Sequence, residues 1–457
     1  MFDSKFAETL IDAAMSYGVD AAEIYYSRSA NTEIMAVDGK AEMVNVNEDD
    51  GYAVRLLKDS RMSFGSSNLI DKKHALGMVR DLAKRCELHS TDESNVIPVP
   101  MEADALAVDE PFDERMASTP LKSKVDKLLG VEESAKAFDS RITGFGWLQY
   151  GDSVQESAVF NSNGVVAESR GTIVYVFAYA IANDGKSVQT GTHVEASGHF
   201  DSLDVQSVGG TVAKHAVRML GASGLKTGEY KLVLPPETSS AFLASLASML
   251  SGDHIQKGKS PLCGRMGEFI ASRNVTIVDD GLLPGGLGTS RFDAEGNPSR
   301  TTVVVDEGKM VSYLCDSYCA RKGGTQSTGN ASRASYHSEP TIVPTNFYLK
   351  TSDMSPEELI STVGSGLYVT EVSGLHAAIN PTTADFSVPA KALLIENGEI
   401  GGAVDNLTLS GNMLEFFKKI ESVGSDLTWV PAYGMIGVPT VFVSDIKVTG
   451  SETGKEQ

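Results

Sequence analysis

Two long tracts of this chain alternate apolar and polar residues, and each is bracketed by segments of helical spacing. In the first tract, strand candidates 21–28, 31–38, 40–47 and 51–57 lie between helix candidates 4–17 and 71–87. In the second, strand candidates 141–150, 154–160, 164–169, 172–182 and 186–196 lie between helix candidates 121–138 and 205–220. Alternation sends successive side chains to opposite faces of a sheet, whereas Phe6, Leu10 and Ala14 share one helical stripe. Asp38-Gly39, Asn163-Gly164 and Asn183-Asp-Gly185 supply hairpin turns. The pattern predicts an α+β fold whose N-terminal half is two helix–antiparallel-strand units.

The first unit spans residues 1–90 and the second 121–222. Residues 91–120 are polar, acidic and dotted with Pro98, Pro100 and Pro111, the composition of a surface linker. A Gly-rich boundary, Gly221 to Gly228, leads into residues 228–457. There Pro235-Pro236 opens a helix running to about Leu250, and strand signals then dominate at 273–279, 301–305, 309–314, 344–350, 366–373, 391–396, 400–408 and 438–448. Short helices at 356–361 and 412–420 interrupt them, so this part is predicted to be a β-rich barrel or sandwich domain with short helices. Within it, Ile277 to Arg333 is the stretch densest in Gly, Asp, Asn, Ser and Thr, the composition of functional loops and of plain hairpin turns alike.

Composition narrows the function classes. The formal net charge of −21 argues against a nucleic-acid binder, which needs clustered Lys and Arg on phosphate. The start of the chain lacks a basic segment followed by an apolar core, and no apolar run is long enough to span a bilayer, so a cytoplasmic protein off the membrane is expected. Four cysteines (Cys86, Cys263, Cys315 and Cys319) are too few for a disulfide framework and read as packed side chains.

No motif declares a catalytic centre. Among the eight histidines no pair forms H-E-x-x-H, and His193 with His199, or Cys315 and Cys319 with His337, lack the further ligands a zinc site needs. There is no G-x-S-x-G elbow. Gly285-Gly-Leu-Gly288 follows a strand, but no Gly-Lys-Ser/Thr ends it. Asp279-Asp280, and Asp293 with Glu295, are carboxylate pairs able to do acid–base work, yet 60 acidic residues make chance pairs common.

A set of short motifs, in order, nevertheless resembles one family. Asp20-Ala-Ala-Glu23, Gly51-Tyr-Ala-Val-Arg55 and Arg61-Met-Ser-Phe-Gly65 come first. Gly267-Glu268, Asp280 through Gly288, Phe292-Asp-Ala-Glu-Gly296 and Ser327-Thr-Gly-Asn330 follow. Pro344-Thr-Asn346, Gly366 to Glu371, Asp385-Phe-Ser387, Ile395 to Ile400 and Gly411-Asn412 complete the set. Together they resemble the TldD/PmbA family, also called modulator of DNA gyrase, over nearly the whole chain. The resemblance implies a two-subunit zinc peptidase acting on unfolded or peptide substrates such as microcin precursors and antitoxins. One subunit type, TldD, carries H-E-x-x-x-H and a late cysteine as its metal site; the other, TldE or PmbA, lacks the metal and pairs with it.

This chain departs from the catalytic type where the ligands would fall. Residues Leu243-Ala-Ser-Leu-Ala-Ser248 hold neither His nor Glu, and no cysteine follows Cys319. Leu and Ser side chains do not replace imidazole and thiolate ligands or a general-base carboxylate. The resemblance therefore implies the TldE/PmbA type, with no catalytic or metal residue here and zinc only in a partner. A dimer through the C-terminal domain is implied, with a TldD-like subunit or with itself. Gly285, Gly286, Gly288, Ser327, Thr328, Asn330 and Arg333 are the candidates for lining a peptide cavity, with simple turn formation as their alternative. A stand-alone hydrolase using Cys315, Cys319 or the carboxylates, and a pure peptide-binding protein, remain as competing readings.

Overall fold

The computed structural model describes residues 3–101, 108–432 and 434–451. In the N-terminal half the helices are Ser4–Ser16 (α1), Lys72–Cys86 (α2), Leu121–Phe138 (α3) and Val205–Val217 (α4). Aspartates open three of them: Asp3 accepts from the Lys5 amide at 3.0 Å, Asp71 from His74 at 2.8 Å and Asp204 from Gln206 at 3.0 Å. The strands are Ala21–Val37 (β1), Lys40–Lys58 (β2), Arg61–Ser67 (β3), Ile142–Asn161 (β4), Val166–Asn183 (β5) and Val188–Ser197 (β6).

These strands are longer and fewer than the sequence pattern predicts. The expected pairs 21–28 with 31–38 and 40–47 with 51–57 are each one strand, as are 141–150 with 154–160 and 164–169 with 172–182. The polar and glycine residues read as breaks, around Ser29, Asp49, Gly151 and Gly171, lie inside continuous ladders.

The two units also share one sheet. β1 pairs with β4 antiparallel from Glu23↔Asn161 to Met35↔Gln149, giving the order β3-β2-β1-β4-β5-β6. Along β1 the even-numbered Ile24, Tyr26, Ile34 and Ala36 enter the cores beneath the helices. α1 and α2 pack on them through Leu10, Val79 and Leu82, and α3 and α4 through Leu128, Val131 and Val212. All four helices thus cover one face, and the odd-numbered side chains of β1 look out from the other. Described parts of the 91–120 segment pack on this body rather than crossing free: Ile97 is buried, and the Asn161 amide donates to the Pro98 carbonyl at 2.9 Å. The middle of that segment, 102–107, lies outside the described residues.

The C-terminal part is built on a closed barrel. Gly228–Leu234 (β7) lies between the parallel Gly366–Val372 and the antiparallel Val441–Thr449. Gly366–Val372 pairs with Asp385–Glu396, which pairs with Glu399–Asn412. That last strand returns to Val441–Thr449 through Thr408↔Thr449 and Ser410↔Lys447, and this pairing closes the barrel. A second sheet, ordered by its strands from Lys309–Met310 through Thr301–Asp306, Ile277–Asp280, Asn346–Leu349 and Gly434–Val438 to Thr428–Ala432, stands beside it. Pro236–Met249 (α5) sits between the two, with Phe242, Leu243, Leu246 and Leu250 in their shared core.

Three details of this half differ from the pattern-based expectation. Residues 311–314 do not continue the Lys309–Met310 strand, and the region expected as one strand at 438–448 is Gly434–Val438 and Val441–Thr449. Cys319 lies on a helix, Ser317–Gly323, that periodicity misses because it is short; Asp316 nucleates it by accepting from the Cys319 amide at 2.8 Å. Among the described residues no helix is long and apolar enough to cross a membrane.

Candidate functional site

The motifs that carry the family resemblance converge on one buried cluster where the two halves meet. Glu23 on β1 accepts from Arg55 of β2 at 2.8 and 2.6 Å, and also from Arg333. Arg55 reaches on to Glu295 at 2.9 Å, and the other Glu295 oxygen accepts from the Ser317 amide at 2.9 Å. Glu23 and the Arg333 side chain are fully buried, and the Arg333 guanidinium lies over the Tyr25 ring at 4.5 Å from its centroid. Burial pushes the Glu23 carboxyl up, but Arg55 and Arg333 outweigh it, and the group rests below its ordinary range. Two glycines permit this approach. A Cβ on Gly296, whose φ is +78°, would sit 2.4 Å from Val165 Cγ1, and one on Gly51 would meet the Tyr336 ring at 2.5 Å.

Beside this cluster lies a cavity of about 690 Å³, between the helix-free face of the N-terminal sheet and the C-terminal loops. Its floor is cross-strand rows of small polar side chains. Ser27 faces Ser157, which faces Ser169; Ser29 lies between Asp49 and Gln155. Its roof comes from Leu287 to Ala294 and Gly329 to Ser335, and Pro431, Ala432 and Met435 line it as well. Ser27 Oγ accepts from the Tyr336 amide at 3.1 Å, Ser29 Oγ from Asn31 at 3.2 Å, and Ser169 Oγ donates to Glu110 at 3.0 Å, so each short hydroxyl keeps part of its capacity for a main-chain group without filling space. Charges of both signs, Arg28 and Arg170 with Asp49 and Glu156, border it, so it has no single-sign character.

Of the predicted cavity residues, the structure brings Gly288, Asn330 and Arg333 to this wall. Gly285, Gly286, Ser327 and Thr328 are not among its lining residues. Gly286 packs on Asn346, where a Cβ would come within 2.7 Å of Oδ1, and Gly285 is a left-handed turn residue with φ +72°. Ser327 and Thr328 hydroxyls both bond the Cys315 carbonyl, at 3.2 and 3.0 Å. Asn330 donates to Asp279 at 2.7 Å and to the Val343 carbonyl at 3.1 Å, holding the roof to the sheet behind it. The floor serines have a sequence signal that motifs do not capture: in β1, Ser27, Ser29 and Asn31 recur at every second residue and so share one face.

The carboxylates that drew notice in the sequence are committed to scaffold. Asp293 accepts from the amides of Glu295 and Asn297, both at 2.9 Å, and of Ala331 at 3.2 Å; burial and then Glu295 push its carboxyl upward. Asp279 accepts from Asn330 and from the Thr345 amide at 2.8 Å, and burial pushes it up to about 6; burial and then Glu295 do the same for Asp316. Raised carboxyls hold their proton more tightly when folded. Their stabilising contribution is full below the unfolded value near 4 and is lost as pH rises through about 6. Glu23 acts oppositely, contributing above its unfolded value and losing that contribution as pH falls through its lowered folded one. Burial lowers His193 and His215, which act the other way as pH falls below their unfolded value, but Asp279, Asp293 and Asp316 outnumber them, so denaturant midpoints are expected to be higher at pH 5 than at pH 8 and to drop again toward pH 3. A midpoint that climbs steadily from pH 5 to 8 would oppose this assignment.

Thiol chemistry is poorly served. Burial, then Asp316, pushes the Cys315 thiol up to about 12, and burial and Asp316 raise Cys319 as well. Cys86 is buried with Sγ 3.1 Å from Ser63 Oγ. Nor do the residues of α5 fit a zinc ion. Leu243, Leu246 and Ala247 are each 1% exposed in apolar packing, and Ser245 Oγ is turned back on the Ala241 carbonyl at 2.9 Å. Among the described residues no group of three or more His, Cys, Asp and Glu could hold a metal. His193 lies beside His215 with ring centroids 6.0 Å apart, and His199 is exposed away from them.

Comparison with known proteins identifies the family. Profiles described as PmbA/TldA metallopeptidase domain 1, central domain and C-terminal domain match residues 22–86, 114–220 and 227–450. A protein named metalloprotease from Methanothermobacter thermautotrophicus is 30% identical over 89% of this chain and 88% of its own. Metalloprotease PmbA of Escherichia coli O157:H7 is 23% identical over 94% of this chain and 92% of its own. The crystal structure of TldE from Thermococcus kodakarensis superposes with a TM-score of 0.88 at 25% identity, covering 97% of this chain and 100% of that one. From its first strand to its closing barrel strand, the chain belongs to the PmbA/TldD metallopeptidase family.

Proposed function

We propose that this chain is a metal-free subunit of a peptidase assembly, and that its cavity holds an extended, unfolded peptide for a zinc-bearing TldD-like partner to cut. The observation that carries the reading is the pairing of a hydroxyl-floored cavity with an α5 packed by Leu, Ala and Ser. Such a floor suits main-chain recognition, and an extended peptide gains affinity from backbone hydrogen bonds while pockets for alternate side chains set its selectivity. The relatives include proteins named TldE, PmbA and TldD homolog alike, so the placing with the partner subunits rests on the residues of α5 and not on the relatives. The raised thiols and the committed carboxylates speak against a hydrolase working alone.

Fluorescence anisotropy of a labelled, unstructured casein-derived peptide tests the cavity. Wild-type protein is expected to bind it, and Ser29→Trp, which fills the floor, to weaken binding by about tenfold or more, a loss near 1.4 kcal/mol. Undiminished binding by a folded Ser29→Trp variant would place the peptide elsewhere.

A further inference from the structure

Between Val166 and Ile173, β5 pairs only with β4 among the described residues, because β6 joins it at Val174. The outer amides of this free edge need acceptors. Thr172 donates to the Pro111 carbonyl at 2.9 Å, so a main-chain group serves there. Arg170 donates instead to a side chain, Glu110 Oε2, at 3.2 Å. The other Glu110 oxygen accepts from the Ser169 hydroxyl at 3.0 Å and from the Arg291 amide at 3.2 Å. Ser290 Oγ, which also reaches the Phe292 carbonyl at 2.8 Å, stands 3.1 Å from it. One carboxylate thus sits in a seat built from the floor strand and the roof loop together. Ser169, Arg170 and Ser290 line the cavity of about 690 Å³, and Ser169, Arg170, Arg291 and Glu110 line a neighbouring one of about 310 Å³. The seat is where the two meet.

Three features mark the seat as exchangeable. The backbone around Glu110 is held separately, by the Thr172 amide on Pro111 and by the Asp113 amide on Thr172 Oγ1 at 2.8 Å, so Glu110 can leave by turning about its own side-chain bonds. Two guanidiniums, of Arg170 and Arg291, stand at the same place without an ion-pair or hydrogen-bond partner among the described residues, and that of Arg170 lies over the Phe112 ring at 4.2 Å. Guanidinium forks and main-chain amides are strong donors to a carboxylate. Glu110, Glu156 and Glu168 already outnumber those two arginines, so an added anion is opposed, whereas one carboxylate replacing another leaves the local charge unchanged. We propose that the seat is a carboxylate subsite of the peptide cavity, filled by Glu110 in the empty chain and taken by a carboxylate of the bound peptide, at its C terminus or on an acidic side chain. It rests on the peptide-cavity reading and adds what that cavity selects.

Amide hydrogen exchange of the full chain tests the seat without any peptide. Glu110→Ala should speed exchange at the Arg170 and Arg291 amides about tenfold in chloride, and acetate at equal ionic strength should restore protection where acetamide does not. Anisotropy with three labelled peptides of one neutral sequence identifies the source of the carboxylate: one with a free C terminus, one amidated with a single internal Glu, and one amidated with no acid. At least one acid-bearing peptide is expected to bind wild type about tenfold more tightly than the acid-free one, and the one that gains names the source. This wild-type ratio needs no folded variant. Glu110→Ala should widen it, and Arg170→Ala with Arg291→Ala should narrow it. Protection that acetate does not restore, or three peptides that bind wild type alike, overturns the subsite and leaves the cavity reading standing. Binding of none of the three overturns the cavity reading, and the subsite with it.

Discussion

Replacing Glu23 with Ala is expected to lower the unfolding free energy by about 3–5 kcal/mol, the range found when one partner of a buried ion pair is removed. The carboxylate is fully buried and serves both Arg55 and Arg333, so its loss leaves two guanidiniums with only Glu295 to share. Arg333 is already short of acceptors: its Nε and Nη1 have no hydrogen-bond partner among the described residues. Glu23→Gln is expected to recover only part of the loss, because an amide keeps the shape but not the charge. Since Glu23 and Arg55 belong to the N-terminal sheet and Glu295 and Arg333 to the C-terminal loops, the variant should also loosen the cavity roof and weaken peptide binding. A change below about 1 kcal/mol in chemical denaturation, the scale of an exposed pair, would mean that the cluster is solvated and carries little.

The second large effect concerns α5. Phe242 is 1% exposed, stacks on Phe416 at 4.2 Å with the rings nearly parallel, and meets Phe386 edge-on at 5.6 Å. Phe242→Ala is expected to cost about 3–5 kcal/mol, from lost transfer energy and the void between helix and barrel. Phe242→Leu, which refills much of that void, should cost clearly less. The comparison bears on the proposed function because that reading rests on α5 carrying packing side chains and no ligands. If it is a packing element here, its tolerance should follow volume, and an outcome in which Leu and Ala are equally mild would contradict that.

Much of this architecture is legible in the residues. The α+β class, the helices at 121–138 and 205–220, and the Asp38-Gly39 turn all follow from spacing and turn chemistry. Strand ends are not legible inside β1, β2, β4 and β5, because Ser29, Asp49 and Gly171 are polar or small for the sake of the cavity they face, and local pattern cannot tell a cavity face from a turn. Barrel closure is likewise invisible, since it rests on Ser410 meeting Lys447, a pairing remote in sequence. At the site, Gly288, Asn330 and Arg333 reach the wall, while Ser327 and Thr328 are spent on the Cys315 carbonyl. Glu23, Arg55 and Glu295 each sit in a separate short motif, and only the fold shows that the three motifs are one ion cluster.

A metal-free subunit cannot cut a peptide by itself. Zinc content by elemental analysis, measured together with cleavage of an unstructured peptide, decides the matter when done on the chain alone and again after adding a family member that carries H-E-x-x-x-H. The prediction is zinc well below one per chain and no cleavage alone, with cleavage appearing in the mixture. One zinc per chain with turnover by the isolated protein would contradict it.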